Sequence, residues 1–229
     1  MPAQPRPSRQ STGAPRGRAP SRSSREIAEA AISLADRDGL PAVTMRAVAG
    51  SIGTGAASLY RYVSTRHELI ELMVEEVNGE FELQRSTTRS WLDHMLDLAR
   101  QAQAIYRRHP WMLEALDSTP ALGDNGLAFL DHALAVLAGT GADGRTRLEA
   151  VGVFNALVRM LCKQEHDQRR AAPADPGGTA LTTQLTAITS TGSYPHLAAA
   201  LADTGPGPTD DQFERILRRV ITGLLHIES

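Results

Sequence analysis

From Ser24 onward, apolar side chains recur every three to four positions, the spacing of one helix face, and no run alternates with period two long enough to make a strand. Ile27, Ala30, Ala31, Leu34 and Ala35 draw the first stripe. Ser24 is its expected N-cap, and it closes near Asp38-Gly39, where glycine accepts a left-handed C-cap, with Pro41 beyond. Thr44 caps a short helix over 45–52, with Val48, Ala49 and Ile52 facing inward; Gly53 ends it, and a third short helix spans 55–62.

Longer helices follow. One begins near Thr65 and carries Leu69, Leu72, Met73, Val77 and Phe81; the next, from about Ser90, carries Leu92, Met95, Leu96, Ala99, Ala102 and Ile105 and must stop before Pro110. Leu127, Leu130, Leu134 and Leu137 mark another, closed by Gly139, and residues 147–170 form a long one. Residues 171–179 read as a loop, and segments 181–188, 197–201 and 213–227 complete the set. Nine or ten helices and no strand make the class all-α, divided into an arm over 1–23, a three-helix unit over 24–70 and a larger helical domain over 71–229.

In the last helix, Thr209 and Gln212 have capping-box spacing, and Phe213, Ile216, Leu217, Val220, Ile221, Leu224 and Leu225 form a broad apolar seam beside Gly223. A seam this wide suits a helix shared between its own core and a second subunit, so a homodimer is expected.

Charge sharpens the division. Residues 1–25 hold six arginines and no acid, while the rest of the chain has 18 basic and 26 acidic side chains, so a +6 arm adjoins a −8 body. The arm has almost nothing apolar to bury; it stays a solvated tail or adds phosphate contacts to a polyanion. No run approaches the roughly 18 apolar residues of a membrane helix, so no membrane partner is expected. The lone Cys162 excludes an internal disulfide and a cysteine-based zinc site and suits a cytoplasmic protein.

No catalytic constellation is present: neither GxSxG, nor a phosphate-cradling glycine loop after a strand, nor HExxH, and the seven histidines are scattered. The chain does not read as an enzyme, and neither a cofactor nor a metal is expected. Segment 44–69, TMRAVAGSIGTGAASLYRYVSTRHEL, is more informative. Two short helices around a Gly53-Thr54 turn have the size of a helix-turn-helix, and small residues from Gly55 to Ser58 let the second helix press into a major groove. Tyr60, Arg61 and Tyr62 follow, suited to phosphate contact.

That segment resembles the N-terminal signature of TetR-type transcriptional regulators over about residues 24–72: Thr44 before the first helix, Gly53 in the turn, Leu59-Tyr60-Arg61, and Arg66-His67-Glu68-Leu69. The second half is similar to the tetracycline-repressor-type C-terminal domain, through His109-Pro110-Trp111, Gly123-Asp124-Asn125-Gly126, residues 150–154, Tyr194-Pro195-His196-Leu197 and the helix led by Phe213. The resemblance implies that Thr44 presents backbone N–H groups to a phosphate. It implies that Arg46, Gly55, Ala56 and Ser58 lie nearest base edges, and that Tyr60, Tyr62 and Arg66 hold phosphates. Leu181, Leu185, Phe213, Leu217, Val220, Ile221 and Leu224 would contribute to a dimer interface.

Tetracycline repressors bind drug with magnesium through a histidine and a helix-end acid. His109 could align with that histidine, but Cys162 and Lys163 stand where the acid is sought, so this ligand is not expected. An apolar effector pocket lined by Met95, Trp111, Leu130, Phe154 and Val158, with His109 beside it, is expected instead. The implied function is a dimeric, ligand-responsive repressor on a palindromic double-stranded DNA operator, released by a small apolar effector. An activator or ligand-independent regulator of the same fold, or a helical small-molecule-binding protein without DNA binding, would share most of these features.

Overall fold

The computed structural model describes residues 23–84, 89–118, 123–171, 193–202 and 212–225; among these are ten α-helices, two 3-10 turns and no strand. Helix α1 (Ser24–Asp38) starts one residue earlier than its spacing predicts, because Ser23 and Glu26 close a capping box: the Ser23 hydroxyl accepts from Glu26 N at 3.1 Å and Ser23 N donates to Glu26 Oε2 at 3.3 Å. A 3-10 turn (Leu40–Ala42) leads to α2 (Met45–Ser51), whose Thr44 cap accepts from Ala47 N at 3.1 Å. Gly53, at φ 66°, then turns the chain in a conformation that a side chain would strain.

Helix α3 (Ala56–Leu59) is one turn long, shorter than the expected 55–62. After it the Tyr62 N–H bonds the Leu59 carbonyl at 2.9 Å, Val63 drops into the core at 3% exposure, and Thr65 is needed to cap α4 (Arg66–Asn78). We call α1 to α3 the head.

The body is built around α5 (Trp91–Arg108), which packs against α6 (Trp111–Ala115), α7 (Asp124–Leu137), α8 (Gly144–Ala171) and α10 (Gln212–Leu225); α9 is Pro195–Ala202. The sequence pattern gave α6 no separate existence; Pro110 ends α5 and nucleates this short helix. Packing does not respect the expected boundary at residue 70. Ile27, Leu34, Val48, Leu59 and Met73 share one core with Ile105, Trp111, Met112 and Ala115 of α5 and α6.

Helix α4 is also tied to α7: Glu75 Oε1 accepts from Asn125 N at 2.5 Å, and Asn125 Nδ2 donates to the Glu75 carbonyl at 2.9 Å. A Cβ at Gly123 would meet the Glu75 carboxylate, so glycine lets that carboxylate sit where it bonds Asn125.

Helix α10 corrects one expectation. Leu217 and Ile221 are 0% exposed against α8 and α5, so the chain's own core consumes them and they are not free to meet a second subunit. Phe213, Val220 and Leu224 are half-buried. The expected interface residues Leu181 and Leu185, the arm before residue 23 and the Thr209 cap lie outside the described residues.

Candidate nucleic-acid interface

Small side chains and short helices give the head its working face. Gly39 to His67 contains Arg46, Arg61 and Arg66 but no aspartate or glutamate, which leaves the α2–α3 surface positive on a chain of net charge −2. Thr44, Arg46, Gly55 and Ala57 are exposed, as are Tyr60 at 54% and Tyr62 at 38%, whereas Leu59 at 1% pins α3 to the core. Large apolar side chains held in water beside arginines and a thin, small-residue helix form a surface that can enter a groove and grip phosphates.

Three expected residues stand differently from the sequence reading. Ala56 is half-buried against the head's core, and its neighbour Ala57 is the one turned outward. Ser58 is half-buried and accepts a hydrogen bond from Arg61 at 2.9 Å, which holds Arg61 beside it and leaves the hydroxyl proton to donate. Arg61, expected with its flanking tyrosines to suit phosphate contact, is exposed at i, i+3 from Ser58.

Arg66 carries the largest difference. Its Nε donates to the Val43 carbonyl and a terminal nitrogen donates to the Leu40 carbonyl, both at 2.8 Å. The guanidinium thus staples the turn before α2 to the start of α4, committing two donor positions that a phosphate contact would otherwise use.

The residues expected around an effector are mostly buried from solvent. Met95, Phe154 and Val158 are 1–3% exposed in the body's core, and Leu130 on α7 packs half-buried against it. His109 and Trp111 sit at the junction of head and body. Asp36 Oδ1 of α1 takes His109 Nδ1 at 2.7 Å and Trp111 Nε1 at 2.8 Å, while His109 Nε2 faces Glu80 Oε1 at 3.2 Å. Arg108 pairs with the other Glu80 oxygen.

Among the described residues a cleft of about 50 Å³ lies between the C-terminal halves of α5 and α8, lined chiefly by Gln103, Tyr106, Arg107, Cys162, Glu165 and His166. Glu165 gathers Gln103 at 2.9 Å, Arg107 at 2.7 Å and Arg169 at 2.5 Å. Burial pushes the Tyr106 phenol up to about 12, and burial together with the Glu165 carboxylate pushes the Cys162 thiol up to about 12. No group of three or more metal-ligating side chains occurs among the described residues.

Comparison with known proteins gives two family matches: the bacterial regulatory proteins of the tetR family over residues 27–73, and the tetracyclin repressor-like C-terminal domain over residues 85–227. The HTH-type transcriptional repressor DrrR1 of Streptomyces coeruleorubidus is 32% identical, over 91% of this chain and 81% of its own. Among solved structures, apo ActR from Streptomyces coelicolor superposes with a TM-score of 0.80 at 23% identity, over 91% of this chain and 97% of that one. ActR in complex with actinorhodin gives 0.75 at 24%, over 89% and 97%.

Proposed function

The chain belongs to the TetR family of bacterial DNA-binding transcriptional regulators, and from that premise we propose that it is a dimeric repressor which reads a palindromic operator and is released by a small-molecule effector. The observation that carries the DNA reading is the acid-free α2–α3 face, where Arg46, Arg61, Tyr60 and Tyr62 stand exposed around the small residues Gly55 and Ala57. Arg46 and Ser58 supply the groups able to donate to base edges, and methyl contact from Ala57 replaces the role first given to Ala56. Tyr60, Tyr62 and Thr44 address the phosphates.

Repression is the sign carried by the 32% identical relative, and an effector is consistent with a fold that holds actinorhodin in ActR. The cleft between α5 and α8 is far below the roughly 300–1,000 Å³ that drug-sized ligands occupy, so an effector of that size would enter it only if α5 and α8 part.

The dimer reading moves from α10 to α8. Gly152, Val153, Ala156 and Met160 line one exposed side of α8, with Val153 at 45% and Met160 at 56%. An apolar stripe of that kind on a helix that already packs α10 is the surface a second copy would cover, with Phe213, Val220 and Leu224 beside it.

Selection of bound sequences from random duplex DNA by the purified protein tests the reading. A two-fold-symmetric motif is the expected result. Enrichment of nothing, with only salt-sensitive binding, would overturn it.

A further inference from the structure

The head is joined to the body by the continuous helix α4 and by the apolar core that Ile27, Leu34 and Leu59 share with Ile105, Trp111 and Met112. Above that core lies a polar clasp at Asp36, near the end of α1. A single Asp36 oxygen accepts from two donors of the α5–α6 corner, His109 Nδ1 and Trp111 Nε1, and that corner is held rigid by Pro110. The site is built into the fold: the His109 side chain is 10% exposed, Trp111 is 4% exposed, and Glu80, after α4, closes the other side of the imidazole. Trp111 belongs to the same core as Ile27, Leu34 and Leu59, so the clasp lies directly above the packing that carries α3.

Apolar packing is non-directional, whereas two hydrogen bonds on one oxygen fix an orientation. In a dimer whose body is rigid, the orientation of each head decides the separation of the two α3 helices, and adjacent half-sites must lie about one helical turn of DNA apart to accept both. We infer that Asp36, with its partners His109 and Trp111, is a positioning residue that fixes the half-site spacing this protein accepts. The inference rests on the dimeric, operator-reading function proposed above.

Its test uses the full chain and the operator obtained from random DNA, together with versions carrying one base pair added or removed between the half-sites. Trp111→Phe keeps an aromatic ring in the core but removes the Nε1–H together with the pyrrole half of the indole, and Asp36→Asn keeps the shape while removing the charge. Ile105→Val loosens the same core without touching the clasp. The wild type should bind the altered spacings far more weakly than the original. In Trp111→Phe and Asp36→Asn that preference should fall by about tenfold, and in Ile105→Val it should hold. An unchanged preference in both clasp variants overturns the inference, as does an equal loss in Ile105→Val, which would make spacing a matter of general core rigidity. A wild type that selects no two-fold site brings down the proposed function and this inference together; a two-fold site with an unmoved spacing preference brings down the inference alone.

Discussion

At the head, Gly55, Ala57, Tyr60 and Tyr62 stand in water on a scaffold whose reading helix is one turn long; in the body, Met95, Phe154 and Val158 lie 1–3% exposed among helices of up to 28 residues. The two regions meet their ligands on different terms. A surface that reads DNA must be complete before DNA arrives, so its side chains are exposed and held from beneath by Leu59 and Val63. A site for a small apolar molecule can stay shut until the molecule supplies the contacts, because an empty apolar cavity forfeits packing. On the proposed function, preformed head and closed body are the two halves of a switch, and the junction through Asp36, Glu75 and Trp111 is where one would inform the other.

The sharpest way to break that comparison is to put a charge in each kind of place. Ile221→Asp buries a carboxylate at a position 0% exposed and should cost about 4 kcal/mol or more, leaving no cooperative thermal transition. Met160→Asp places the same group at a position 56% exposed on α8 and should leave the fold intact while light scattering reports monomers. Unfolding by both, or a folded Ile221→Asp monomer, would remove the division between α10 as core and α8 as outer face.

A smaller effect separates two roles at Arg66. Loss of its two bonds to the Val43 and Leu40 carbonyls should lower stability by about 1–3 kcal/mol in Arg66→Ala. Lysine keeps the charge but lacks the fork. If Arg66 acts as a staple, Arg66→Lys stays destabilised in denaturant titration; if phosphate contact dominates, lysine restores operator binding and its salt slope.

How much of this was legible along the chain follows from what each feature depends on. The helix starts were written locally: Thr44 caps α2 as its spacing predicts, and α4 and α5, expected to begin near Thr65 and Ser90, are capped by those residues, because a cap involves only three or four neighbouring residues. Gly123-Asp124-Asn125-Gly126 likewise opens α7. The site residues were legible as a segment but not as directions. One residue's rotation separates Ala56 from Ala57, and α3 is too short for periodicity to define its faces. The roles of Arg66, His109 and Trp111 depend on partners 23 to 75 positions away, and nothing local in the sequence names Asp36 as the acceptor between head and body. The apolar lining expected of a pocket, at Met95, Phe154 and Val158, has the same pattern as plain core, since both need oily residues facing inward.

The smallest effect asks whether the body is closed in solution. Cys162 and Tyr106 border the α5–α8 cleft, and both are pushed up to about 12 from ordinary values of 9.0 and 10.0, chiefly by burial. In the unfolded chain the thiol ionises above pH 9 while the folded one keeps its proton, so the native state binds more protons there and stability falls as pH rises. The stabilisation from both groups is complete below pH 9 and is lost progressively towards pH 12. Thermal midpoints should therefore decline across that window, and Cys162→Ala together with Tyr106→Phe should flatten the decline. The same burial makes a kinetic forecast. At pH 8.5 an ordinary thiol is partly thiolate, whereas Cys162 should resist alkylation in the folded protein and react at once in denaturant. Rapid labelling without denaturant would mean that α5 and α8 part spontaneously, and the body would then present an open site of the same preformed kind as the head.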